Sequence, residues 1–217
     1  MNQLTIKKLS LTVLATLCCG AVFADGPLKA PIWNHPVIPM RDAAPPPAGV
    51  IYSNLQNDTC TSCMYDTNNG FLVLGPTNCF DGVSTQWLAY PFWATRTAVP
   101  RQINLGVTLD SDLCSNGANK FTVDIYTDAC GGPATSLMSA VGTAPAAPCA
   151  LAAVRLRTTT SLTAGVKYWV VVTTAANQTA FTGVWWESNF APGYVNFNDG
   201  NLWQLNAPGG PGAFSIQ

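Results

Sequence analysis

One stretch limits the possible folds more than any other: Ser161–Thr174, SLTAGVKYWVVVTT. After the Ala164-Gly165 turn, Val166, Tyr168, Val170 and Val172 fall on one side of an extended chain. Lys167, Trp169, Val171 and Thr173 fall on the other. A period of two in β-branched and aromatic residues is a strand pattern. Both sides are largely apolar, which predicts an interior strand, flanked and covered, rather than an edge.

The rest of the chain has to supply its neighbours. Arg101–Leu109 alternates Ile103, Leu105, Val107 and Leu109 with Gln102, Asn104, Gly106 and Thr108. Lys120–Thr127 alternates Phe121, Val123 and Ile125 with Thr122, Asp124 and Tyr126. Each reads as a strand with one wet and one buried face, as antiparallel sheets require. Fully burying one such apolar side chain contributes roughly 1.5–3 kcal/mol, and a one-residue slip would expose the whole row. Shorter strands are expected at Val50–Tyr52, Phe71–Leu74, Ser136–Val141, Leu151–Thr158, Phe181–Glu187 and Asn201–Leu205. Gln86–Ala94 contains Pro91, which predicts an edge or a bulge. Asp128–Pro133 reads as a turn, and residues 208–217 read as a flexible, glycine- and proline-rich tail. No stretch carries a capped 3.6-residue apolar period. The expected fold is all-β: an antiparallel two-sheet β-sandwich, jelly-roll-like and disulfide-stapled, over residues 50–207.

Ahead of that domain, Lys7 and Lys8, the apolar run Leu9–Gly20 and Val22-Phe23-Ala24 read as a signal peptide over residues 1–24. Cys18 and Cys19 belong to that removed segment. Residues 25–49 carry seven prolines and read as an extended linker or tether. Taking residues 1–24 from 217 leaves 193, enough for one domain. Losing Lys7 and Lys8 leaves eight basic against eleven acidic residues, a net charge of −3. The remaining cations are scattered, so no nucleic-acid or anionic-lipid surface is expected. No later run is apolar enough for a transmembrane segment. Charged residues are 10%, against about a quarter in an average domain. Neutral polar residues replace them, which suits a secreted or cell-surface β protein, the periplasm included.

Six cysteines survive processing: Cys60, Cys63, Cys79, Cys114, Cys130 and Cys149. An even number in an exported chain points to three disulfides. The expected pair is Cys130–Cys149, closing the loop between two strands and contributing about 3 kcal/mol. Cys60-Thr61-Ser62-Cys63 is a CxxC, but no βαβ setting for redox chemistry and no further paired zinc ligands accompany it.

Catalysis finds little support. The single histidine, His35, lies in the proline-rich segment, and Glu187 is the single glutamate. A histidine-based triad is hard to build from there, and any glycosidase pair would need an aspartate beside Glu187. Asp110, Asp112 and Asn116 are the calcium candidates, with solvated loop as the competing reading, and Asn196, Asn198 and Asp199 form a second set. Aromatics are the better lead. Trp185 and Trp186 are adjacent, so a strand places one in the core and one outward. An outward indole beside Glu187 and Asn189, with Trp203 nearby, could stack on a sugar ring and bond its hydroxyls. Trp87, Trp93 and Tyr194 also stand near loops or strand ends. Aromatics are equally ordinary core material in a β fold.

Taken in order, Ile51-Tyr52-Ser53-Asn54-Leu55, Ala89-Tyr90-Pro91-Phe92, Phe121–Asp128 running into Gly131-Gly132-Pro133, and Leu162–Trp169 leading to Trp185-Trp186 resemble a known family. The succession is similar to the choice-of-anchor domains of bacterial exported proteins, the R type in particular, over most of residues 50–187. The resemblance implies an extracellular β module of unassigned function, often followed by an anchoring tail, and supplies no catalytic residues; no cofactor is expected. The chain departs from it after Gln204, where no hydrophobic helix and basic stop follow. The expected function is an exported, non-catalytic module whose partner is a surface or matrix protein; the alternative is a carbohydrate-binding module.

Overall fold

The computed structural model describes residues 48–55, 63–80, 85–109, 117–147, 149–188, 193–198 and 203–217. The signal-peptide reading, nearly all of the proline-rich segment, Cys60, Cys114, Asp110, Asp112, Asn116, Asn189 and Asp199 lie outside the described residues.

Thirteen strands and no helix occur among the described residues. They are β1 (Tyr52–Ser53), β2 (Gly70–Leu74), β3 (Trp87–Trp93), β4 (Gln102–Leu105), β5 (Val107–Leu109), β6 (Lys120–Ala129) and β7 (Gly132–Thr143). The series continues with β8 (Ala152–Arg155), β9 (Lys167–Thr174), β10 (Thr182–Trp186), β11 (Gly193–Asn198), β12 (Trp203–Gly209) and β13 (Phe214–Ile216). All pairings are antiparallel, in three sheets: β12-β11-β3-β9-β6-β7, β1-β13-β4-β8 and β2-β10-β5.

The strand over Lys167–Thr174 is interior, as its two apolar faces require: β9 lies between β3 and β6. Leu88, Tyr90 and Phe92, Phe121, Val123 and Ile125, and Tyr168, Val170 and Val172 form one inward grid. The other two sheets meet it with Phe71, Val73, Ile103, Leu105, Val107, Val154, Trp185, Phe214 and Ile216. All three sheets therefore share one core.

Two sheets were expected where there are three, and Gly106 is the reason. Arg101–Leu109 alternates as if it were one strand, yet the chain breaks at Gly106 into β4 and β5, which enter different sheets. A Cβ at Gly106 would stand 3.1 Å from the Tyr65 ring and 3.2 Å from Ala213. Its backbone bonds Ala213 and Trp186 instead, stitching the two smaller sheets together.

Pro91 was expected at an edge or bulge, but β3 is an interior strand. Its neighbour β11 pairs only with Trp87–Ala89, so Pro91 falls where β3 is locally unpaired on that side. The 208–217 tail is also corrected. Phe214–Ile216 is a buried strand wedged between β1 and β4. The Asn54 side-chain amide clasps it, donating to the Gly212 carbonyl (2.8 Å) and accepting from the Phe214 N–H (2.7 Å).

The Cys130–Cys149 pairing is overturned. Cys149 is bonded to Cys63, across a sequence separation of 86, and Cys79 is also in a disulfide. Cys130 and Gly131 form the β6–β7 turn with φ of 53° and 80°, the backbone a two-residue hairpin turn demands. The strand that follows runs twelve residues, about 40 Å of extended chain. It carries Cys149 to the far end of the sheet from Cys130.

Candidate functional site

The tryptophan pair comes first, because the sequence favours it. In β10 both indoles are buried, Trp185 completely and Trp186 to 7% exposure. Trp185 enters the shared core, edge-on to Tyr90 at 4.6 Å, and donates to the Ala213 carbonyl at 3.1 Å. Trp186 points the opposite way, yet it does not reach water. Leu72, Leu74 and Val184 flank it on the same face of the sheet, and Tyr65 and Ala213 join them in a second apolar cluster, with Leu55, Phe80 and Leu151 packed alongside. The Cys63–Cys149 disulfide and the Tyr65 hydroxyl, which donates to the Ala150 carbonyl at 3.1 Å, hold that cluster down. The Trp186 indole donates to Thr108 Oγ1 at 2.8 Å. The expectation that one of the pair faces outward is therefore wrong: the β2-β10-β5 sheet is covered on both sides. Glu187 is partly exposed and lies against Gly210, where an added Cβ would fall 2.2 Å from its carboxylate. Trp203 is partly buried and packs against Ala89, Trp169 and Val171.

The open aromatic ground lies elsewhere, on the outer face of the six-stranded sheet. Register places side chains there in rows across the strands. One row is Pro91 on β3, Trp169 on β9, Tyr126 on β6 and Ser136 on β7. The next, towards the sheet interior, is Ala89, Val171, Asp124 and Ser139. The outermost row begins with Trp93 opposite Lys167, and Asp128 on β6 lies beside them.

Trp93 is 52% exposed, the most open tryptophan among the described residues. Lys167 Nζ lies 4.5 Å from the Trp169 ring centroid and 5.8 Å from that of Trp93. A cation over an indole face is attracted by the ring quadrupole. The same ammonium pairs with Asp128 Oδ1 at 3.0 Å, and Trp169 Nε1 donates to that oxygen at 2.7 Å. One carboxylate oxygen thus fixes both the lysine and the buried indole. Among the described residues the side chains of Asp128 and Lys167 make no other hydrogen bond or ion pair, so one acceptor oxygen and two N–H donors stay available beside Trp93.

Further along the face the polar groups are less wet. Burial raises the Asp124 carboxyl above its ordinary value, and hydrogen bonds from Ser139 and Ser136 pull the other way. Burial, and then the charge of Asp124, raises the Tyr126 hydroxyl.

The calcium candidates and Asp199 lie outside the described residues. Among those described, no group of three or more His, Cys, Asp or Glu residues could hold a metal ion. No described helix is long and apolar enough to cross a membrane. Sequence reasoning named Trp93 among several aromatics but did not connect it to Lys167 and Asp128. The available signal was Lys167 itself, a charge on an otherwise apolar interior strand. Compared with known proteins, the chain matches no family model and no curated sequence.

Proposed function

We propose that the chain is an exported, non-catalytic β module that holds a surface or matrix partner through the Trp93 end of its six-stranded sheet. The observation that carries this reading is the row Trp93, Lys167 and Asp128, where a half-exposed indole stands beside unused donors and an unused acceptor. Isolated exposed apolar residues are common; an indole with fixed polar neighbours is the composition of ligand sites. Export is supported by the signal-peptide pattern at residues 1–24 and by disulfides at Cys63–Cys149 and Cys79, which persist in oxidising compartments. The resemblance to choice-of-anchor domains points the same way, through its strand and turn motifs. The carbohydrate-binding alternative no longer has a platform at Trp185 or Trp186, and it passes to Trp93.

The test is adhesion. Purified protein is added to intact producer cells and to their shed matrix, alongside the Trp93→Ala variant. Retention of the wild-type chain with loss for the variant is expected. Equal retention of both would remove this face from the function.

A further inference from the structure

We infer that the ligand at this end of the sheet is a neutral sugar, a pyranose ring stacked on Trp93 with its hydroxyls met by Lys167 and Asp128. The inference rests on the outer-face reading above and names its ligand class.

Three strands converge to make the site. Trp93 closes β3, Lys167 opens β9 and Asp128 stands near the end of β6, so register alone brings them side by side. Their chemistry is mixed in a specific way. The indole offers a flat apolar surface, which suits the C–H face of a pyranose. Lys167 keeps two N–H donors and Asp128 keeps one acceptor oxygen, because both of their known bonds share Asp128 Oδ1. A sugar hydroxyl donates and accepts, so it uses both. The pair is held in place before any ligand arrives: the ammonium by two rings and a carboxylate, the carboxylate by the Trp169 indole. Such preorganisation lowers the entropy cost of binding.

The alternatives fit less well. Lys167 and Asp128 cancel in charge, so an anionic ligand would meet the carboxylate along with the ammonium. A purely apolar segment would cover both and leave their remaining bonds unmade, which is costly. A neutral polyol ring is the chemistry that satisfies the indole and both charged groups together.

The full folded chain is titrated with cellohexaose, xylohexaose and mannohexaose, whose 1,4-linked rings each keep a 2,3-diol, and with a galacturonate hexamer as the acidic probe, following the indole N–H resonances. At least one neutral hexamer is expected to bind and shift the Trp93 resonance. Trp93→Ala should weaken it about tenfold, and Asp128→Asn by a smaller factor. Failure of all neutral hexamers at millimolar concentration, unchanged affinity in Trp93→Ala, or tighter binding of the galacturonate hexamer would overturn the inference. A second arm separates this from the reading beneath it. Producer-cell surfaces are oxidised with periodate, which cleaves vicinal diols, before adhesion is measured. Loss of Trp93-dependent adhesion supports the sugar. Adhesion that depends on Trp93 yet survives periodate overturns the sugar and keeps the outer-face reading; adhesion independent of Trp93 removes both.

Discussion

Trp185 and Trp93 both sit in aromatic strand segments, and they end in opposite surroundings. Trp185 is fully buried at the end of β10, in a sheet covered on both sides. Trp93 is 52% exposed at the end of β3, on the outer face of the six-stranded sheet, which the described residues cover only in part. The difference does not come from the local apolar pattern, since both tryptophans stand between apolar residues, Phe92 and Ala94 or Val184 and Trp186. It comes from what lies across each sheet. The three-stranded sheet has a second lid, built from Tyr65 and its neighbours and bolted by a disulfide. Among the described residues, Trp203 and Tyr126 partly close the outer face of the six-stranded sheet. Neither adjacency of tryptophans nor position at a strand end is therefore a guide to exposure; what packs across the sheet decides it.

The comparison can be broken in several places. The largest effect is expected at the lid. Replacing Cys149 by serine frees a closure of 86 residues and should cost about 4–5 kcal/mol by chemical denaturation. It should also raise quencher access to Trp186, whereas Trp93 quenching stays as it is; equal change at both would dissolve the distinction. Next comes the core itself. Trp185→Ala should cost about 3–5 kcal/mol, and Trp93→Ala should stay within about 0.5 kcal/mol of wild type. Similar losses for the two would show that Trp93 is core after all. Smaller again is Lys167→Met, which removes a partly exposed ion pair and should cost less than about 1 kcal/mol in thermal unfolding.

The smallest effect is a dependence on pH. Burial holds the folded Asp124 carboxyl above its ordinary value of 3.8. Over the window from that value up to the folded one, the folded chain keeps a proton that the unfolded chain has released. Stability accordingly falls as pH rises through the window. Asp124→Asn should flatten that slope in urea midpoints measured across the acid range. An unchanged slope would mean that the outer face around Asp124 is as wet as the Trp93 end. At alkaline pH the core answers in the same sense. The Tyr52 hydroxyl is pushed up to about 12 by burial, so stability should fall as pH climbs above the ordinary tyrosine value of 10.0.

Legibility in the sequence followed the range of the interaction. The interior position of β9 could be read from Tyr168, Val170 and Val172 against Trp169 and Val171, because alternation is local. The turn at Cys130-Gly131 was visible too. The division at Gly106 was not, since an alternating row looks continuous until Tyr65 and Ala213, distant in sequence, press against it. The Cys63–Cys149 bridge was hidden for a related reason. Ser136–Val141 reads as a short strand, while β7 runs twelve residues and separates Cys149 from Cys130. Phe214–Ile216 looked like part of a tail because three residues cannot display a period. Their burial depends on Asn54 and β1 at the other end of the domain.

That last strand has a kinetic consequence. β1 and β4 share no bond and are joined only through β13, so the four-stranded sheet zips up only when segments some 158 residues apart meet. Folding dominated by such distant pairings is slow, on the order of milliseconds to seconds. The clasp at Asn54 is then the closing stitch, and amide exchange should find this seam among the first places to open and the last to heal.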